Sequence, residues 1–142
     1  RVTSGEFVDG RLASVQLATT GSPSTLRANA FVLATGGFES GALTLDSYGN
    51  LSETALDLPV WRPDGDLVHG HQLGRDMPLF RCGLRTDEHL RPVDTAGAVV
   101  ADNLYATGGL LAGAVRWTEH SGDGVALGSA RKATDHILEE LA

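Results

Sequence analysis

Apolar positions along this chain change their spacing from segment to segment, and each change marks a different kind of element. Residues 7–12 (FVDGRL) set Asp9-Gly10 between strand-forming residues, which predicts a hairpin closed by a two-residue turn. Val15 and Leu17 then alternate with Ser14 and Gln16, as on a half-buried strand. Residues 20–24 (TGSPS) supply a second turn. Beyond it Leu26, Ala28 and Ala30 alternate, and the run becomes continuously apolar through Phe31, Val32, Leu33 and Ala34. That shift predicts a strand that leaves a surface meander and enters a parallel sheet covered on both faces.

Residues 38–80 are irregular and rich in Gly, Pro and Asp. Helical cues are few over 42–58, and 61–66 (WRPDGD) is turn chemistry around the aromatic Trp61. A short helix is expected over 66–73, and 81–93 (RCGLRTDEHLRPV) reads as a strand end followed by a polar turn. The last third opens with a short apolar strand, 104–106, that breaks at paired glycines and leads into a long helix. There Leu127, Ala130, Thr134, Ile137, Leu138 and Leu141 recur at helical spacing and predict a single apolar face. Ser121 or Asp123 is placed to cap the helix start. Gly128 costs about 1 kcal/mol against alanine inside a helix, so a close approach to a neighbouring strand is expected there.

Two apolar strands that each stop at glycines, the second feeding a helix, point to a cradle for a dinucleotide or a flavin. Glycine lets backbone N–H groups approach an anion closely, and a helix start favours negative charge. The 18 glycines among 142 residues fit frequent tight turns. That length suits one modest domain with its own core. The chain opens on arginine with a segment that already reads as mid-sheet, so it is expected to be part of a longer protein. A net charge of −7 argues against a nucleic-acid footprint. No apolar run approaches the roughly 18 residues of a membrane helix, and no signal-peptide pattern is visible. The lone Cys82 excludes an internal disulfide, fits a reducing compartment and is expected to be a small buried apolar residue. His69 and His71 with Asp64 and Asp66 lack a second ligand pair at defined spacing, so no metal site is expected. Arg85, Asp87 and Arg91 read as a structural ion-pair turn, and Trp61 as the anchor of a small cap. Among loop residues, His120 is a candidate for proton transfer and Arg116 for a substrate phosphate.

Four stretches occur together in one order: FVLATGGFESG (31–41), GLRTDEHLRP (83–92), NLYATGGLLAG (103–113) and GDGVALGSARKATDHI (122–137). In this the chain resembles the C-terminal third of the B-subunit flavoproteins of anaerobic glycerol-3-phosphate dehydrogenase. The resemblance implies an α/β fold, the C-terminal part of a Rossmann-like FAD/NAD(P)-binding architecture with a β-meander and a small cap excursion. Residues 1–37 would hold the meander and core strand, 38–82 the cap, and 83–142 the return to the flavin domain with its last helix. The implied cofactor is a flavin, FMN or FAD. The implied activity is oxidation of glycerol 3-phosphate to dihydroxyacetone phosphate, with electrons passed to a quinone in anaerobic respiration. Partners would be the catalytic flavoprotein (the A subunit) and the iron–sulfur protein (the C subunit) of the same complex. The location would be cytoplasmic without direct membrane insertion, any hold on the cell membrane's inner face coming through a partner. The phosphate-binding G-x-G-x-x-G would lie upstream, so the chain alone is expected to be inactive.

Carried over residue by residue, Thr35, Gly36 and Gly37 match the strand-end turn that approaches the cofactor, and Gly108 and Gly109 match the turn after the second core strand. Gly109 stands where many related flavoproteins have an acidic residue on the ribityl chain, so a contact there would come from backbone. Gly113, Gly122 and Gly124 match the loop and helix start beside the flavin ring, whereas Arg116, Trp117, Glu119 and His120 depart from the pattern. Two rival readings follow from shared features. A fumarate-reductase-like or ketosteroid-dehydrogenase-like flavoprotein would share the ATGG strand, and a non-catalytic assembly module would account for the missing acid.

Overall fold

The computed structural model describes residues 1–68, 77–115 and 119–142. In chain order the strands are β1 (Val2–Val8), β2 (Arg11–Leu17), β3 (Ser24–Leu26), β4 (Phe31–Leu33), β5 (Leu43–Leu45), β6 (Leu51–Glu53) and β7 (Leu104–Ala106), followed by helix α1 (Gly122–Leu141). The first three form an antiparallel meander in the order β1-β2-β3. Asp9 and Gly10 both take positive φ (47° and 74°), as the two-residue turn requires. The long third strand expected from the sequence is instead two strands. β3 ends at Leu26, and after a four-residue break over 27–30, β4 pairs in parallel with β7, Leu33 opposite Ala106. The handover from meander to parallel sheet therefore occurs as the apolar run foretold, but across a break.

The segment 42–58, poor in helical cues, forms the β5–β6 hairpin, closed by Asp46, whose carboxylate accepts the N–H groups of Tyr48 and Asn50 at 2.8 Å each. Ala42, Leu43, Leu56 and Leu58 join one buried cluster with Leu12, Leu33, Leu84, Leu104, Ala106 and Leu110. Within that cluster lies a carboxylate, Glu53, only 2% exposed. It is tolerated because the Ala55 and Leu56 N–H groups each donate to it at 2.8 Å. The expected helix over 66–73 falls mostly outside the described residues, and 66–68 are not helical.

Three sequence expectations need correction. The face of α1 that meets the rest of the chain carries Val125, Ser129, Ala133, His136 and Ile137, while Leu127 and Leu138 are 76% and 61% exposed. The anticipated apolar stripe points away because the sheet selects a helix face rich in small residues, which allows close approach. Gly128 meets open space among the described residues, so nothing in the structure explains it. Trp61 is half-buried and outside the core; its backbone pairs both ways with Gly83 (2.8 and 3.1 Å), and the Arg85 guanidinium lies 4.6 Å over its ring. Arg85 is thus absent from the ion-pair turn, which Asp87 and Arg91 make without it at 2.8 Å.

Asn103 joins the two sheets. Its backbone C=O accepts the Phe31 N–H (2.8 Å) at the start of the parallel pair. Its side-chain amide treats Leu12 as a strand partner, accepting the Leu12 N–H at 2.8 Å and donating to the Leu12 C=O at 3.0 Å. A second donation reaches the Asn29 C=O at 3.2 Å. Asn103→Ala would leave the buried Leu12 N–H and C=O without partners, at a cost of about 3 kcal/mol. Urea unfolding is expected to show a lower midpoint at unchanged slope.

Candidate functional site

Because β4 and β7 run parallel and side by side, the turns that follow them leave the same edge of the sheet. The Thr107 N–H donates to the Leu33 C=O at 2.9 Å, which keeps the two chains together for one residue past the strands. Thr35, Gly36 and Gly37 thus follow β4, and Gly108 and Gly109 follow β7, at the same end of the strand pair. The two turns use glycine for different reasons. Gly36 has φ +86°, and a Cβ there would collide with the Ser40 hydroxyl, which donates to the C=O groups of Thr35 (2.7 Å) and Gly37 (3.0 Å). Its requirement is internal to its own loop, which borders an open cleft of about 480 Å³ shared with Gly41, Ala42 and Thr54. Gly108 has φ +67° and faces Ala126 of α1 at 3.7 Å, and its N–H donates to Ser129 Oγ at 2.9 Å. That amide is consumed inside the protein.

The neighbouring Gly109 N–H has no acceptor among the described residues, because it lies in the first turn of a one-turn 3-10 helix, Gly108–Leu110. Gly113, at φ +83°, is surrounded by open space, and its N–H is held by the Arg81 C=O at 2.9 Å. The start of α1 is also open. Ser121 occupies the N-cap position, but its hydroxyl donates to Glu119 at 2.9 Å instead of capping the helix. Gly124 has nothing near its Cα. Neither expected cap forms, and among the described residues the N–H groups of Gly122 and Gly124 have no acceptor. His120 is exposed, with φ +51°, immediately before the N-cap. Arg116 and Trp117 lie outside the described residues, as do His69 and His71. Among the described residues, no group of three or more possible metal ligands converges, and no helix is long and apolar enough to cross a membrane. Cys82 is 3% exposed, and burial pushes its thiol pKa up, only partly offset by Arg62.

Two groups of functional weight went unread in the sequence. One is Ser129, whose signal was a lone hydroxyl on the small-residue face of the helix. The other is Tyr105, fully buried in β7, whose hydroxyl donates to Glu140 at 2.8 Å while its ring meets His136 edge-on. A tyrosine in a continuous buried strand needs a polar partner, and α1 supplies it. His136 in turn stacks on His89 with ring centroids 3.9 Å apart.

A parallel strand pair with a glycine turn after each strand and a long helix after the second is compatible with a nucleotide-cofactor domain of α/β type. The profile of the FAD binding domain family matches residues 19–125, and the chain belongs to that family. The cofactor of the family is FAD, and the free donors at Gly109 and the helix start fit it without an acidic residue at 109. The chain is 34% identical over a 143-position alignment to the B subunit of anaerobic glycerol-3-phosphate dehydrogenase from Yersinia pestis bv. Antiqua (strain Antiqua), covering 99% of this chain and 32% of the relative. The B subunit from Aliivibrio fischeri (strain MJ11) is 30% identical over 82% of this chain and 26% of its own length. A probable B subunit from Halobacterium salinarum (strain ATCC 29341 / DSM 671 / R1) is 29% identical over 99% and 33% respectively. The chain therefore spans about a third of the curated relatives' length. No solved structure matches it significantly.

Burial first, and then the Glu140 carboxylate that accepts its hydroxyl, push the Tyr105 pKa from 10.0 to about 12. The neutral ring is thus favoured in the folded protein. Below pH 10 this contribution is complete; between about pH 10 and 12 the unfolded chain loses its proton first and stability falls. The expected loss is on the order of 2–3 kcal/mol. Unfolding measured across that range should show the fall, and Tyr105→Phe should remove this component of it.

Proposed function

We propose that the chain forms the C-terminal, flavin-ring side of a Rossmann-like FAD domain in a protein that oxidises glycerol 3-phosphate to dihydroxyacetone phosphate. Electrons would pass onward to a quinone through companion subunits, a catalytic flavoprotein and an iron–sulfur protein. The observation that carries the reading is the parallel β4–β7 pair, whose strands are both followed by glycine turns at the same end of the sheet. The named relatives supply the substrate. When bound, FAD accepts a hydride equivalent and releases electrons singly or in pairs. This chain's own part is to orient it through the Gly109 amide and the first turn of α1, whose partial positive charge favours electron-rich atoms. Thr35, Gly36 and Gly37 would wall the same pocket, residues 38–82 would form a cap beside it, and His120 stands two residues before the helix start. The protein would work in the cytoplasm, reaching the membrane only through a partner.

The Rossmann-like detail has a physical support of its own. The Phe31 N–H and the Leu33 C=O both bond toward β7, so strand alternation turns the polar groups of Val32 to the other edge of β4. Val32 is 46% exposed. A two-stranded parallel sheet with an open edge is an incomplete one, because parallel sheets occur buried and multi-stranded. A further strand from the remaining two thirds of the relatives' length would complete it. In the intact protein the Val32 amide is then expected to be strongly protected from hydrogen exchange; exchange at the rate of an exposed amide would rule out the extra strand.

The intact protein should be yellow as purified and should release FAD, and not FMN, on denaturation. Glycerol 3-phosphate should bleach the visible flavin bands when the companion subunits are present. A colourless protein that added FAD does not reconstitute would overturn the reading.

A further inference from the structure

Ser129 is one of only two buried residues on α1, the other being Ala133. Its hydroxyl makes two kinds of contact. It donates back along its own helix, to the Val125 C=O at 2.6 Å and the Ala126 C=O at 3.2 Å, as serine commonly does inside helices. That leaves its lone pairs turned outward, and they accept the Gly108 N–H at 2.9 Å. One oxygen atom thus ties the glycine turn after β7 to a helix whose start lies seven residues earlier, about 10 Å along the axis. A Cβ at Gly108 would stand 3.7 Å from Ala126, so the turn faces this part of the helix. Gly108 spends its amide on Ser129, while the adjacent Gly109 N–H has no acceptor among the described residues.

From this geometry we infer that Ser129 is a positioning residue for the flavin: it fixes the Gly109 donor and the start of α1 in one mutual arrangement, and so sets how both address the cofactor. The inference rests on the FAD reading above and assigns the part of that site that no glycine pattern reveals. Ser129 touches neither cofactor nor substrate in this role. It acts through the turn and the helix.

The test uses the intact protein, unsubstituted and with Ser129→Ala, Ser129→Thr and Ser129→Cys. Three quantities are read: hydrogen exchange over residues 107–110, affinity for FAD, and the midpoint potential of the bound flavin. Loss of the hydroxyl in Ser129→Ala should speed exchange of the turn by roughly tenfold, the size expected for one hydrogen bond. FAD should bind about tenfold more weakly for the same reason, and the potential should become more negative as the helix start moves off the ring. Ser129→Thr keeps the oxygen and should restore all three. If Ser129→Ala does not fold, Ser129→Cys, with its weaker acceptor, should give the same changes in smaller measure. Faster exchange with unchanged affinity and potential would make Ser129 merely structural and overturn the inference. Unchanged exchange would overturn it as well. An unsubstituted protein that takes up no FAD would instead defeat the flavin reading, while the exchange measurement still decides whether Ser129 holds the turn.

Discussion

The arrangement of this chain depends on a single side-chain amide acting as a piece of backbone. A meander and a parallel sheet have no ladder in common, and both present rows of polar groups where they meet. Asn103 resolves the mismatch by offering one donor and one acceptor to Leu12, in the same pairing that a neighbouring strand would make. Its own backbone meanwhile opens the ladder between β4 and β7. Asp102, one residue earlier, adds a backbone bond to the Gly10 C=O of the hairpin turn at 2.9 Å. The position of β7, and with it the glycine turn at its far end, is therefore set from the meander side. An aspartate of the same shape could not do this at neutral pH, because a carboxylate has no proton to give the Leu12 C=O.

The helix is then fastened to β7 at two points three turns apart. Near its start Ser129 takes the Gly108 amide, and near its end Glu140 takes the Tyr105 hydroxyl. Both anchors are polar, and between them Ala133 is buried while His136 stacks on His89 and meets the Tyr105 ring. Polar bonds at the ends with these contacts between give a helix little freedom to roll or slide, which is what a site built from a helix start needs. The outward stripe of Leu127, Leu138 and Leu141 takes no part in this attachment. It lies on the same layer as the uncovered side of Val32, since Val32 pairs with Tyr105 and the two side chains share the α1 face of the sheet.

Much of this was legible in the residues. The Asp9-Gly10 hairpin, the buried runs at 31–34 and 104–106, the Asp87–Arg91 turn and the final helix all follow from local chemistry, which acts over a few residues and leaves a plain trace. What was not legible depends on partners far apart in sequence. The apolar spacing of α1 identified a helix, yet it could not say which face the sheet would choose. The helix turns inward the face with Ser129 and Ala133, where Ser129 accepts the Gly108 N–H. Trp61 looked like a core anchor by size alone, whereas the cation beside it, Arg85, keeps it half in solvent. The glycine turns were correctly located at neighbouring strand ends, but equivalent spelling concealed different duties. Gly36 makes room for Ser40, and Gly108 turns its amide to Ser129 of the helix.

Charge narrows which part of a cofactor these turns suit. Over residues 33–41, 106–115 and 119–130 there is no lysine or arginine, while Glu39, Glu119 and Asp123 add three negative charges. A carboxylate in the first turn of α1 offsets part of the helix dipole. A pyrophosphate carries its charge permanently and would meet those carboxylates at every stage. The polar edge of a flavin ring is neutral when oxidised and gains charge only on reduction, so a weakly positive, backbone-lined edge matches it at both stages.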